Sequence, residues 1–545
     1  MSMNITAPAD AGGWLDKSTT IAKPGFNRWL VPPAALAIHL CIGMSYGLSV
    51  FWLPLTKTIA GDPDASCKTM GVFDALFTTT CNWRISDLLV TFTIGIVVLG
   101  LSAALFGGWL ERAGPRKAGL VAAFCWGGGF LVSALGVNTH QLWIIWLGLG
   151  VLGGVGLGLG YISPVSTLVK WFPDRRGMAT GMAIMGFGGG AMIGSPLANQ
   201  LMNHFKTANS PGVWQAMATL GVIYFIFMCG GALGYRVSPD NWRPEGWTPA
   251  SDKAHAMITR DAVALENAHK TPQFWLIWAV LCLNVSAGIG VLAMASPMLQ
   301  EIFGGTLIGH PETGFSALDA SQKTAIATLA AGFVGLISLF NIAGRFFWAS
   351  ISDLIGRKMT YFVFFGLGIV LYAATPTLAH AGQKGLFVAA LCIILSMYGG
   401  GFATVPAYLA DIFGTRFVGA IHGRLLTAWS TAGVVGPFVV GYIRDAQIAA
   451  GVERAQVYDR TLYILSTFLI VGFICNALVR PVAPQWLMRR ESEPAPTAAT
   501  LAAGSFGIGL GRFAAPECVL PWLIVVAPIC WGLWYALRSA VKIFQ

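Results

Sequence analysis

The stretch Ser338-Leu-Phe-Asn-Ile-Ala-Gly-Arg-Phe-Phe-Trp-Ala-Ser-Ile-Ser-Asp-Leu-Ile-Gly-Arg-Lys358 decides how the rest of the chain is read. It ends an apolar run that begins near Thr324 and places Arg345 two turns inside that run. An always-charged guanidinium at such depth in a bilayer costs about 2.5 to more than 10 kcal/mol, so residues of this kind mark solute pathways. The structural alternative is that Arg345 snorkels toward the headgroups or clamps backbone carbonyls. No Asp or Glu lies well inside any apolar run, so the sequence offers Arg345 no internal counter-ion. The expected partner is an anion arriving from outside the chain.

Composition sets the class around that stretch. Of 545 residues, 55% are hydrophobic and 11% charged, with 67 glycines, which excludes a soluble protein of this size. The net charge of +10 is then a matter of membrane topology and not of nucleic acid. Apolar windows of about 20 residues predict helices over 30–54, 86–110, 118–138, 142–168, 178–203, 213–235, 273–296, 325–350, 359–378, 386–410, 421–443 and 461–479, with a thirteenth candidate over 518–537. With the N-terminus in the cytoplasm, the inner connections hold more than twice as many Lys and Arg as the outer ones, so this orientation across a cytoplasmic (inner) membrane is preferred.

The chain divides into a cytoplasmic N-terminal segment (1–28), a six-helix half (29–235), a polar central loop (236–272), a second six-helix half (273–480), an Ala, Pro and Gly-rich linker (481–517) and an extra membrane segment (518–545). Residues 1–28 lack the apolar stretch of a cleavable signal, so the first helix is expected to stay as an anchor. Cys67 and Cys81 are the only two of the ten cysteines that lie together in an aqueous outer loop, and an oxidising compartment permits a bridge between them. Residues 297–323 read as a second long outer loop. The last segment is long enough to span, and a span is preferred to an interfacial helix although it leaves Arg538 and Lys542 outside. No spacing suits a metal or a cofactor, and the eight histidines lie singly, so neither is expected, nor is a membrane enzyme.

A short basic turn occurs twice, as Glu111-Arg112-Ala-Gly-Pro-Arg-Lys117 and as Asp353-Leu-Ile-Gly-Arg357-Lys358. Such turns hold two helix ends close, so Glu111, Arg112, Asp353 and Arg357 can cap or pair across neighbouring helices and gate the bundle. Gly148 through Gly160 contains a GxGxxG spacing but no strand precedes it, which excludes a dinucleotide site. The glycines there, and those from Gly181 to Gly194, instead let helices approach closely.

Twelve spans, a central loop and the paired turns resemble the major facilitator superfamily. More narrowly, Trp171-Phe-Pro-Asp-Arg-Arg-Gly-Met-Ala-Thr-Gly181, Thr271-Pro-Gln-Phe-Trp275, Asn341 to Arg345 and Asp411-Ile-Phe-Gly-Thr415 resemble the oxalate/formate antiporter family. The resemblance covers most of residues 28–480 and implies an all-α membrane protein of the major facilitator fold: two six-helix halves around a central cavity, here with a thirteenth C-terminal helix. That helix is similar to small single-span subunits encoded beside some such carriers. The resemblance also implies that Arg345 binds substrate among rings at Tyr46, Tyr161, Phe187, Tyr398 and Phe402, and that a second family cation, a Lys, is replaced by Trp429. One cation walled by rings suits a monoanion, so the expected partner is a small carboxylate such as formate, lactate or pyruvate, exchanged by a functional monomer in the lipid bilayer. Proton-coupled symport and drug export stay open, and a transporter-like sensor is the rival from another class.

Overall fold

The chain is described by a computed structural model over residues 13–59, 71–239 apart from 209, 242–244, 247, 257–259, 261–488 and 515–540. Helix α1 (Val31–Ile42) tightens through a 3-10 turn, Gly43–Gly47, into a short helix, Ser49–Leu55. It is followed by α2 (Ile85–Ala113), α3 (Pro115–Asn138), α4 (Leu142–Trp171), α5 (Arg176–Phe205) and α6 (Val213–Gly234). The second set comprises α7 (Pro272–Leu307), α8 (Ala320–Ile355), α9 (Arg357–His380), α10 (Lys384–Phe413), α11 (Val418–Ala449) and α12 (Asp459–Leu478), and α13 (Pro516–Ala540) comes last. Among the described residues, thirteen helices are long and apolar enough to cross a membrane. The described residues form isolated bridges but no strand.

The two repeated basic turns are one-glycine hairpins. Gly114 joins α2 to α3 at φ 89° and Gly356 joins α8 to α9 at φ 86°, a region that a side chain disfavours. These turns lie at the end of the bundle rich in Lys and Arg, called here the basic end. The halves meet along two seams, α5 against α8 and α2 against α11. Small residues make both possible: a Cβ on Gly181 would lie 2.6 Å from the Arg345 carbonyl oxygen, and one on Gly107 would lie 2.7 Å from Ala420 Cα.

One sequence expectation changes. Helix α7 runs on to Leu307, through Pro297 and Glu301, which had been placed in an outer loop. Membrane helices tolerate proline, and Glu301 is neutralised by Arg444 and Arg454, pairings that a hydropathy window cannot register. The connection to α8 is correspondingly shorter. A carboxylate therefore does sit within a spanning helix, toward the end opposite the basic turns. Of the proposed cysteine pair, Cys81 is disulfide-bonded and Cys67 lies outside the described residues; the eight other cysteines are not disulfide-bonded. As expected of a thirteenth candidate span, α13 is long and apolar, and it packs against α5, α8 and α1. Near its start Asn27 donates to Glu517 at 3.2 Å, and farther along, Gly532 packs on Met192 and Ile193 of α5. Its far-end Arg538 lies over the Trp534 ring at 5.4 Å, which gives that cation an interfacial partner.

Candidate functional site

Glycines build the site before any polar group enters it. On α1 and α5 a Cβ at Gly190 would press on the Leu40 carbonyl and the Gly43 backbone, so those two helices touch backbone to backbone. That contact brings Tyr46 and Phe187 to a ring separation of 5.1 Å. On the facing side, Cβ atoms at Gly188 and Gly399 would each lie 3.1 Å from the Arg345 side chain. These glycines of α5 and α10 leave the slot that the guanidinium fills, and their spacing was the available sequence signal for it.

Arg345 is 1% exposed. Its Nε donates to Asn341 Oδ1 at 3.0 Å and its Nη1 to the Ile184 carbonyl at 3.2 Å, across the seam between the halves. Nη2 is buried without a hydrogen-bond partner, and no carboxylate pairs with this cation among the described residues. Phe402 and Phe187 lie 5.6 and 5.9 Å from the guanidinium carbon, where their faces partly offset the cost of the buried charge.

The ring residues expected from the sequence gather at the same place. Trp429 is the hub, with centroids 4.8 Å from Phe402, 5.3 Å from Tyr161, 5.3 Å from Phe187 and 6.4 Å from Tyr46. The Tyr46 and Tyr398 hydroxyls stand 3.4 Å apart, joining the 3-10 turn after α1 to α10. Tyr161, Phe187, Tyr398, Phe402 and Trp429 are all buried and Tyr46 is half-buried, so the rings enclose the guanidinium between the halves. Two histidines flank Tyr161: the His39 ring at 5.3 Å and the His422 ring at 5.8 Å. His39 faces the Ala183 and Tyr161 carbonyls, at 2.7 and 3.2 Å. His422 carried no motif in the sequence.

At the basic end two latches cross between the halves. Asp353 of α8 accepts from the backbone N–H groups of Gly177 and Met178, 2.9 and 2.8 Å away, thereby capping the first turn of α5. Arg357 pairs with Asp353 at 2.6 Å and with Asp411 at 3.2 Å, and Asp411 takes Arg176 at 2.8 Å. In the second latch Glu111 of α2 accepts from the Gly419 N–H at 3.1 Å and pairs with Lys170 at 2.5 Å. Arg112, expected beside Glu111, points outward and makes no ion pair among the described residues; Lys170 is the cation in that place. Sequence reasoning also passed over Arg176, Lys170 and Asp411, because each partner sits on a different helix.

Two helix sets packed around one buried cation, tied together at one end by ion pairs, suit a membrane carrier. The Major Facilitator Superfamily model matches residues 35–437, and the chain belongs to that family. It is a membrane transporter of this superfamily and not an enzyme. It is 27% identical to the oxalate:formate antiporter of Oxalobacter formigenes over 345 residues, 63% of this chain and 73% of that one. Monocarboxylate transporter 11 of Homo sapiens is 23% identical over 450 residues, 82% of each chain. The proton:xylose symporter XylE superposes with a TM-score of 0.56 over 85% of this chain and 96% of that one, at 14% identity, a likeness of fold alone.

Proposed function

We propose that this chain is a secondary carrier of small monocarboxylates that works by alternating access and exchanges one anion for another. The observation that carries the reading is Arg345: buried, held by one amide and one carbonyl, with an amino group left over. A carboxylate on that guanidinium forms parallel charge-assisted hydrogen bonds and cancels its charge. A dianion would leave a net negative charge in a chamber whose other walls are rings. Closing over an occupied Arg345 costs less than closing over a bare one, so exchange should outrun net flux. The antiporter and monocarboxylate-transporter relatives support the substrate class.

In this reading the two six-helix halves rock about the chamber, the latches of Glu111, Asp353 and Arg357 hold the basic end shut, and that end and the N-terminus face the cytoplasm from the inner membrane. The functional unit is the monomer. A second reading, proton-coupled symport, draws on His39 and His422 beside Tyr161. Uptake of labelled lactate and formate into proteoliposomes, driven either by an internal counter-anion or by a pH gradient, tests both. Drive by the counter-anion alone supports exchange, drive by the pH gradient alone supports symport, and no uptake with either overturns the carboxylate assignment.

A further inference from the structure

The polar atoms of the chamber outnumber what the simplest carboxylate can satisfy. Besides Arg345 Nη2, the Trp429 indole N–H, the Tyr161 hydroxyl and both ring nitrogens of His422 are buried with no hydrogen-bond partner among the described residues. Formate brings two oxygens, and the guanidinium fork takes both. The remaining groups would then be desolvated and unpaired when the chamber closes, which opposes binding.

These leftover groups form one wall. His422 and Trp429 are seven residues apart on α11, so the two turns between them put both on one face. Tyr161 of α4 touches both rings, at 5.8 and 5.3 Å. His39, on the other side of Tyr161, already has a carbonyl at each nitrogen. His422 has none, although it is fully buried. An indole N–H donates only, whereas a tyrosine hydroxyl and a neutral imidazole both donate and accept, so the wall suits a hydroxyl or a carbonyl oxygen.

Resting on the carboxylate reading, we propose that His422, Tyr161 and Trp429 form a second subsite that takes the substituent oxygen of a hydroxy- or oxo-monocarboxylate whose carboxylate lies on Arg345. The carrier is then built for oxygenated acids over formate and over alkyl acids of the same size. A site that hydrogen-bonds a substrate hydroxyl rejects the analogue that lacks it, whereas an apolar pocket scarcely separates the two.

The test is competition against labelled-anion counterflow in proteoliposomes holding the full chain, with acids that differ by hydroxyl for methyl: glycolate against propionate, lactate against isobutyrate, 3-hydroxypropionate against butyrate. In at least one pair the hydroxy acid should compete about 10-fold more strongly, and the same ratio should fall toward one in His422→Leu and in Trp429→Phe. Ratios at or below one in all three wild-type pairs overturn the subsite while leaving the carboxylate reading in place. Failure of every carboxylate, formate and acetate included, to exchange overturns both. The wild-type series decides the matter even if a variant does not fold.

Discussion

Replacing Arg345 with Gln separates a substrate cation from a structural clamp. Gln cannot offer a carboxylate two parallel charge-assisted bonds, each worth about 1.5–3 kcal/mol. Losing both removes about 3–6 kcal/mol of binding, or about 10²- to 10⁴-fold in affinity. The fold should respond differently. The variant gives up the contacts to Asn341 and Ile184 but also removes a buried charge that no protein carboxylate neutralises. Ligand-free stability should therefore hold or rise. Two measurements on purified protein read this: counterflow of labelled formate, and the unfolding temperature in detergent with and without saturating substrate. Wild type should gain about 2.7 kcal/mol at 100 times its dissociation constant, and the variant should gain none. Counterflow within about twofold of wild type, with affinity within a tenfold step, would refute the reasoning. A ligand-free loss of about 3–5 kcal/mol, the figure for breaking a buried pair, would assign Arg345 to the scaffold.

Three further outcomes follow from the surrounding contacts. Asp353→Asn keeps its shape but loses the pair with Arg357 and weakens the two cap bonds to α5, by about 1–3 kcal/mol; a cysteine introduced at buried Thr180, whose hydroxyl now bridges the halves to the Ala403 carbonyl, should then react faster with an aqueous maleimide, read by mass spectrometry at that residue, and an unchanged rate counts against the latch. Glu301→Gln leaves Arg454 without its carboxylate and Arg444 with the carboxylate of Asp445 alone and should cost about 2 kcal/mol, less than a fully buried pair because Arg454 is partly exposed and Arg444 keeps one partner; an unaltered unfolding temperature would contradict it. His140, outside the spans, stacks on Trp83 at 4.0 Å and contacts the Cys81 carbonyl and Thr58 hydroxyl, and burial holds its pKa below the usual imidazole value. The unfolded chain thus binds the proton first, so stability should be full above about pH 6.5 and fall as pH drops from there toward the depressed folded value; His140→Asn, which accommodates the local φ of 52°, should lack that part of the pH dependence of the unfolding temperature.

The sequence alone determined the membrane class, the twelve spans, the thirteenth candidate and the depth of Arg345, because hydropathy and charge are properties of a local window. It also placed the glycines of α4 and α5 where close approach was possible. The resemblance supplied the ring positions that the structure gathers around Trp429. What windows could not supply was pairing between distant segments. They ended α7 at residue 296 and left Glu301 in a loop because they weigh each charge by itself, while Arg444, 143 positions away, neutralises it. They expected Arg112 as well as Glu111 to cap or pair across neighbouring helices, whereas Arg112 points outward and it is Lys170 of α4 that meets Glu111. They saw His422 as one more isolated histidine. Only the packing of α11 against α2 and α4 turned it toward Tyr161, and only the tertiary structure showed that no described carboxylate stands beside Arg345. A helix's own residues decide whether it enters the bilayer; which of its faces meets the chamber is decided by the neighbours it packs against.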